Sequence, residues 1–159
     1  MVEILVKKIN KNLAMKHIIA TLFSLLLIAG AAHAQQPNIQ KQKFHWGRDQ
    51  DTTAGYAQAV LVDNVLYVSG TVARDVTPEG VRSVYQNLER TLKHYGLGFQ
   101  HVVKENLYTT DIEAMKANNH VRKTFYKGDF PAATWVQISR LYMPDAKLEI
   151  ELIAHLPKK

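Results

Sequence analysis

The sequence predicts an α+β domain in which a mixed β-sheet carries two helices on one face. Residues 57–70 (AQAVLVDNVLYVSG) hold two runs rich in β-branched residues around Asp63 and Asn64, a pair that tolerates the positive φ of a tight hairpin turn. Residues 79–95 place apolar side chains along one helical stripe. Residues 147–155 (KLEIELIAH) alternate apolar and polar side chains, as a strand with one buried face does.

The remaining segments complete a predicted order of β-β-β-α-β-α-β-β. Residues 43–46 form a short first strand, and residues 101–109 form the strand after the first helix, which Gly96 ends. Asp111 is a suitable N-cap for the second helix, because its side chain can accept a hydrogen bond from the first turn. Residues 133–139 form the strand that follows this helix. The segments show no internal repeat and no linker.

Residues 1–34 are predicted to be a secretory signal peptide. From Met15, a short basic start leads into an apolar run over residues 18–32, and Ala32-His33-Ala34 supplies an A-x-A cleavage site. The alternative is a membrane anchor or a buried helix, but the run is shorter than the roughly 20 residues that span a bilayer. Translation is expected to begin at Met15, unless the residues before it extend the basic start. Residues 35–159 would then be a single mature domain, periplasmic or secreted.

Composition and charge exclude several classes of protein. A chain that is 47% hydrophobic and 21% charged is neither disordered nor a full membrane protein. Removal of residues 1–34 takes four lysines and one glutamate away, which leaves 16 basic and 13 acidic residues and a net charge of about +3. No basic run with interleaved aromatics indicates nucleic-acid binding. The chain has no cysteine, so an exported form would depend on its core or on oligomerisation, without disulfides or a lipid anchor.

Two carboxylates stand out in the last predicted strand. Glu149 and Glu151 share a face with Ile153, so this face can be partly covered. A half-buried carboxylate has a raised pKa that suits it to general-base catalysis. The alternative is that the face is open to solvent and the glutamates have no special role. The seven histidines are scattered, and no pair has the spacing of a helical metal site, so neither a metal nor a cofactor is predicted.

An ordered set of motifs resembles the RidA/YjgF family of imine and enamine deaminases. The motifs are Y-x-Q-A from Tyr56, Q-N-L from Gln86, V-V-K with T-D between Val102 and Asp111, F-P-A from Phe130, and E-I-E from Glu149. The resemblance covers nearly all of residues 54–156. It implies a RidA-like (chorismate-mutase-like) fold that forms a homotrimer, with small-molecule clefts between the subunits.

The resemblance also implies which residues line a cleft. Glu149 would be the catalytic residue, because it would hold and activate the attacking water. Tyr56 would form part of the wall, Ser69 and Gly70 would offer hydroxyl and backbone contacts, and Asn119 would project from the second helix. Each has a plain structural alternative: Ser69 and Gly70 could simply end a strand, and Tyr56 could be an amphipathic edge residue.

Ala133 departs from the family pattern. Members of the resembled family that act on imino acids carry F-P-A-R, and that arginine binds the substrate carboxylate, whereas this chain reads F-P-A-A over residues 130–133. An arginine–carboxylate pair contributes on the order of 1.5–3 kcal/mol, and alanine has no donor to replace it. Trp135 follows two residues later, on the same side of the strand. Ala133 and Trp135 would therefore line a substrate-binding surface suited to a small substrate without a carboxylate.

Two functions follow from these observations. The first is an imine or enamine deaminase, or a related hydrolase acting on C=N bonds, with Glu149 as the base and no cofactor. The alternative is a non-catalytic trimer that binds an apolar or aromatic small molecule against Trp135. Neither function predicts a nucleic-acid partner, nor a membrane partner once the signal peptide is removed.

Overall fold

The computed structural model describes residues 38–157, and from Ile39 onward they form one compact unit. The strands are β1 (Lys41–Phe44), β2 (Ala59–Val62), β3 (Val65–Ala73), β4 (Val102–Thr109), β5 (Ala132–Gln137) and β6 (Leu148–His155). The helices are α1 (Arg48–Ala54), α2 (Pro78–His94), α3 (Ile112–Ala117) and α4 (Asn119–Tyr126), with a 3-10 turn at Phe99–His101. Within this range no helix is long and apolar enough to cross a membrane. The predicted signal peptide lies outside the described residues.

The six strands form a single mixed sheet in the order β1-β2-β3-β6-β4-β5. All neighbouring strands are antiparallel except β4 and β5. These two are parallel because α3 and α4 carry the chain back to the starting end of the sheet between them. The predicted α+β class and mixed sheet are confirmed. Strand β6 is central, since it pairs with both β3 and β4.

The core lies between the sheet and its helices. Leu148, Ile150 and Leu152 of β6 are buried beneath α2, whose apolar stripe includes Val84 and Leu88. Each fully buried aliphatic side chain of this kind contributes about 1.5–3 kcal/mol relative to leaving it in water. Helix α2 packs on β3 and β6 and also contacts α4. The alternation predicted for the last strand therefore separates a buried face from a partly exposed one.

Turns and caps fix the ends of these elements. Asp63 takes a φ of 52° in the hairpin between β2 and β3, and Gly96 takes a φ of 70° after α2. The Asp111 side chain accepts a hydrogen bond from the Ala114 backbone N–H at 2.9 Å and caps α3 as predicted. The predicted second helix differs in one respect, because Asn118 separates it into α3 and α4.

Strand β3 contains a β-bulge. Val68 lies opposite Leu152 and Thr71 lies opposite Ile150, so two residues of β3, Ser69 and Gly70, face a single residue of β6. A bulge of this kind bends a strand and changes the direction of its side chains. It stands beside Glu149, where the candidate site lies.

Candidate active site

Glu149 lies on the face of the sheet that the helices do not cover. Its Cα partners are Val72 on β3 and Tyr108 on β4, so the side chain is held from both sides by rigid strands. The residue is half-buried, and this burial raises the pKa of its carboxyl, an effect to which the nearby Glu151 carboxylate adds. The partial burial expected from the sequence is confirmed, and the group has the properties of a general base.

The Glu149 side chain lies directly against the backbone of Gly70. A β-carbon built at residue 70 would stand 2.6 Å from the Glu149 Cδ and would overlap one of its carboxylate oxygens. Only glycine allows the carboxylate to occupy this place. The bulge at Ser69 and Gly70 thus positions the catalytic candidate.

Ser69 and Tyr56 complete one side of the site. The Ser69 hydroxyl donates a hydrogen bond to the Ala57 carbonyl at 2.7 Å, so the oxygen keeps its capacity to accept one from a ligand. Tyr56 follows α1, is 39% exposed and stands near Asp51. Burial, followed by a hydrogen bond to the Asp51 carboxylate and its charge, raises the pKa of the Tyr56 hydroxyl, which therefore stays protonated at neutral pH.

These four predicted residues line a common cleft of about 370 Å³. The full lining consists of Gln50, Ala54, Tyr56, Ser69, Gly70, Val72, Tyr142, Met143 and Glu149. Sequence reasoning missed Gln50 and Ala54, which belong to α1, and Tyr142 and Met143, which lie in the loop between β5 and β6. Neither segment repeats its apolar side chains with the spacing of a helix or a strand, so the sequence pattern did not identify them. An aromatic residue next to a methionine in a loop is a weak signal of a ligand-binding surface.

Asn119, Ala133 and Trp135 do not line this cleft. The register pairs Glu105 with Ala133 and Leu107 with Trp135, so Ala133 and Trp135 lie on the helix-covered side of the sheet. Asn119 begins α4. Within one chain the structure therefore separates the seven predicted site residues into two groups, on opposite sides of the sheet.

The second group surrounds a buried glutamate that sequence reasoning also missed. Glu105 is 0% exposed, and its four donors come from α2, α4 and β5. The donors are Arg122 Nε at 2.8 Å and Trp135 Nε1 at 3.3 Å on one oxygen, and the hydroxyls of Tyr85 at 2.9 Å and Tyr126 at 2.7 Å on the other. A carboxylate saturated with donors in this way is stable in a core. The only signal in the sequence was a charged residue at an alternation position of a buried strand.

Metal ligation has no candidate among residues 38–157, since no three His, Asp or Glu side chains there gather in a way that could hold an ion.

Comparison with known proteins decides the family. The family model described as Endoribonuclease L-PSP matches residues 48–156. A rat protein named 2-iminobutanoate/2-iminopropanoate deaminase is 36% identical over 108 residues, which cover 62% of this chain and 78% of that protein. A Drosophila melanogaster protein named RutC family protein UK114 is 36% identical over 110 residues, covering 64% and 79%. The chain belongs to the RidA/YjgF family.

The fold agrees with solved structures of this family. A member of the YjgF/YER057c/UK114 family from Mycobacterium tuberculosis superposes with a TM-score of 0.67 at 24% identity, over 74% of this chain and 100% of that one. Yeast Mmf1 gives a TM-score of 0.60 at 26% identity, over 65% and 89%. In this RidA/YjgF member, the segment matched by the family model runs from the start of α1 to just beyond β6. It includes both groups of candidate site residues.

Proposed function

We propose that this protein hydrolyses the C=N bond of a small imine, or of an enamine in its imine form, with Glu149 activating the water. The observation that carries this proposal is the half-buried Glu149 carboxylate, held over Gly70 in a cleft of about 370 Å³ with a raised pKa. The names of the deaminase relatives support the same reaction class.

Each step of the proposed reaction has a residue to perform it. Glu149 accepts a proton from water as the oxygen bonds to the imine carbon, the C=N electron pair moves to nitrogen, and the Glu149 carboxyl gives this proton to the nitrogen. In the resulting carbinolamine, Glu149 accepts the hydroxyl proton and transfers it to the departing nitrogen as the C–N bond breaks, which leaves a carbonyl and ammonia. The free lone pair of Ser69 Oγ and the side chain of Tyr56 position the substrate.

A homotrimer would bring the two groups of candidate residues together. Strand β5 is an edge strand whose Ala133 is exposed, so it is available to a neighbouring subunit. Tyr67 and Val136 are exposed apolar residues on the helix-free face, which is the kind of surface that subunit contacts cover. In the proposed trimer, Ala133 and Trp135 of one subunit close the Glu149 cleft of the next, and the predicted signal peptide directs the protein out of the cytoplasm.

The test uses purified residues 35–159 with 2-imino acids generated in place by an amino-acid oxidase. Semicarbazide competes for the imine, so a lower yield of semicarbazone measures hydrolysis by the protein. Wild type should accelerate hydrolysis, Glu149→Gln should abolish the acceleration, and Glu151→Gln should retain it. A labelled RNA is included because the family model carries an endoribonuclease description. Cleavage of RNA without imine hydrolysis would contradict the proposal.

Non-catalytic binding is the second candidate, and Trp135 is the residue that favours it. Its ring is partly buried beside Ala133, where the chain offers an apolar surface in place of a charged side chain. A Trp46→Phe variant leaves Trp135 as the single tryptophan and so isolates its emission. A ligand that shifts this emission and is recovered chemically unchanged, together with no imine hydrolysis, is the result expected for this function.

A further inference from the structure

Arg122 is held rigidly, yet most of its hydrogen-bonding capacity is unused. Its Nε donates to Glu105 at 2.8 Å, and its Cζ lies 4.7 Å from the ring centroid of Tyr126, 5.6 Å from that of Phe130 and 5.5 Å from that of Trp135. An arginine enclosed by aromatic faces in this way is fixed in one orientation. Burial lowers the pKa of the Arg122 guanidinium, but the Glu105 carboxylate together with Tyr85 and Tyr126 outweighs this effect and raises the pKa, so the group stays charged.

The two terminal nitrogens of Arg122 have no hydrogen-bond partner among residues 38–157. Among those residues, Asn119 Oδ1 is the one fully buried side-chain atom that lacks a hydrogen-bond partner. The Arg122 terminal nitrogens also lack partners, so they are not fully buried. The side chain as a whole is 7% exposed. Both terminal NH2 groups can therefore reach a ligand, and two parallel N–H donors match the two oxygens of a carboxylate.

The guanidinium stands over the strand that carries Ala133. Glu105, which holds Arg122, is the Cα partner of Ala133, and Trp135 points to the same side of β5 and donates to the same carboxylate. Asn119 lies three residues before Arg122 and therefore on the same face of α4. A cation, three aromatic rings and an unpartnered amide oxygen thus gather beside a small side chain.

We propose that Arg122 binds the carboxylate of a small ligand whose apolar part rests on Trp135 and Phe130. Glu105 acts as a positioning residue, because its single bond to Nε aims the terminal nitrogens away from the core. The inference rests on the proposed function, because in the proposed trimer Arg122 of one subunit would face the Glu149 cleft of the next. It revises the expectation of a substrate without a carboxylate, since that expectation was based on residue 133 alone.

Benzoate, with benzamide as its neutral analogue, probes this site directly. In ¹H–¹⁵N spectra of the full chain, the Trp135 indole N–H and the Arg122 Nε–H both report on Glu105, and a Trp46→Phe background leaves one indole signal. Benzoate should shift both signals with saturation and benzamide should not. Equal shifts with both compounds, or none with benzoate, would overturn the proposal.

Substitution of Arg122 itself leaves Glu105 without its cation, and such a variant can fail to fold for that reason alone. Ala133→Glu avoids this difficulty, because it places an internal carboxylate next to Arg122 from an exposed position. Ala133→Gln is the matched control of the same length. Benzoate should bind at least about tenfold more weakly to Ala133→Glu than to Ala133→Gln. Equal affinity in two folded variants would rule out Arg122 as the carboxylate site.

The result also separates this inference from the proposed reaction. Benzoate binding without imine hydrolysis would count against the proposed reaction and leave the Arg122 site intact. Imine hydrolysis without benzoate binding would overturn the Arg122 site and leave the proposed reaction intact.

Discussion

The carboxylate of Glu149 lies against the α-carbon of Gly70, where a β-carbon would overlap it. Strand β6 supplies the acid and the bulge in β3 supplies the space for it. The position of the catalytic candidate therefore depends on the absence of a side chain on the neighbouring strand.

Substitution of Gly70 by alanine should displace the Glu149 carboxylate while leaving the fold in place, because the flexible end of the glutamate can rotate away. We expect imine hydrolysis to fall by roughly 10²-fold, the lower end of what a positioned general base contributes. Steady-state rates and thermal melting measure the two effects. Gly47→Ala is the control, since its β-carbon would meet Gln50 at an ordinary 3.8 Å, and its rate should not change.

The pKa of Glu149 should lie above the usual glutamate value of about 4.3 and should fall when Glu151 is replaced by glutamine. Burial would keep the pKa of Glu149 raised in that variant, because burial is the larger of the two causes. Since the base must be ionised, activity should be lost as pH falls through the raised pKa, and the acid limb should move to lower pH in Glu151→Gln. Carboxyl ¹³C NMR titration follows the group directly. An unchanged pKa of Glu149 in the Glu151→Gln variant would contradict this account.

Replacement of Glu105 by glutamine should destabilise the protein strongly, because Arg122 would keep its charge in a buried place without its anionic partner. Removal of one partner from a buried ion pair typically costs about 3–5 kcal/mol. Denaturant unfolding gives the difference. The control is Glu113→Gln, which breaks an exposed pair with Lys116 and should change the free energy of unfolding by about 1 kcal/mol or less.

Val136→Lys should prevent assembly of the proposed trimer, since it would place a charge on the exposed apolar face of an edge strand. Light scattering coupled to size exclusion should give three subunits for wild type and one for the variant. Hydrolysis should fall with the loss of the trimer. A variant that is monomeric and fully active would show that one chain holds a complete site.

The sequence predicted those elements whose side chains repeat with a clear period. The stripe of α2 and the alternation of β6 were visible because one face of each is buried. Helix α1 has seven residues and buries only Asp51, so no stripe marked it. It nevertheless supplies Gln50 and Ala54 to the cleft.

The two faces of the sheet could not be assigned from spacing alone. Ala133 and Trp135 do share one side of β5, as their separation of two residues predicts. Which side that is depends on the register with β4, which pairs them with Glu105 and Leu107. Register is a tertiary property, and for the same reason Glu105 could not be recognised as the acceptor for four distant donors.

The bulge at Ser69 and Gly70 gives β3 one residue more than regular pairing with β6 requires. The two residues occupy the space opposite one residue of β6, so loss of one of them would leave a regular ladder in which Thr71 still faces Ile150 and Val72 still faces Glu149. The sheet would keep its register and its buried face, whereas the local bend beside Glu149 would disappear. The extra residue is therefore dispensable for the pairing of the strands and matters for the shape of the site.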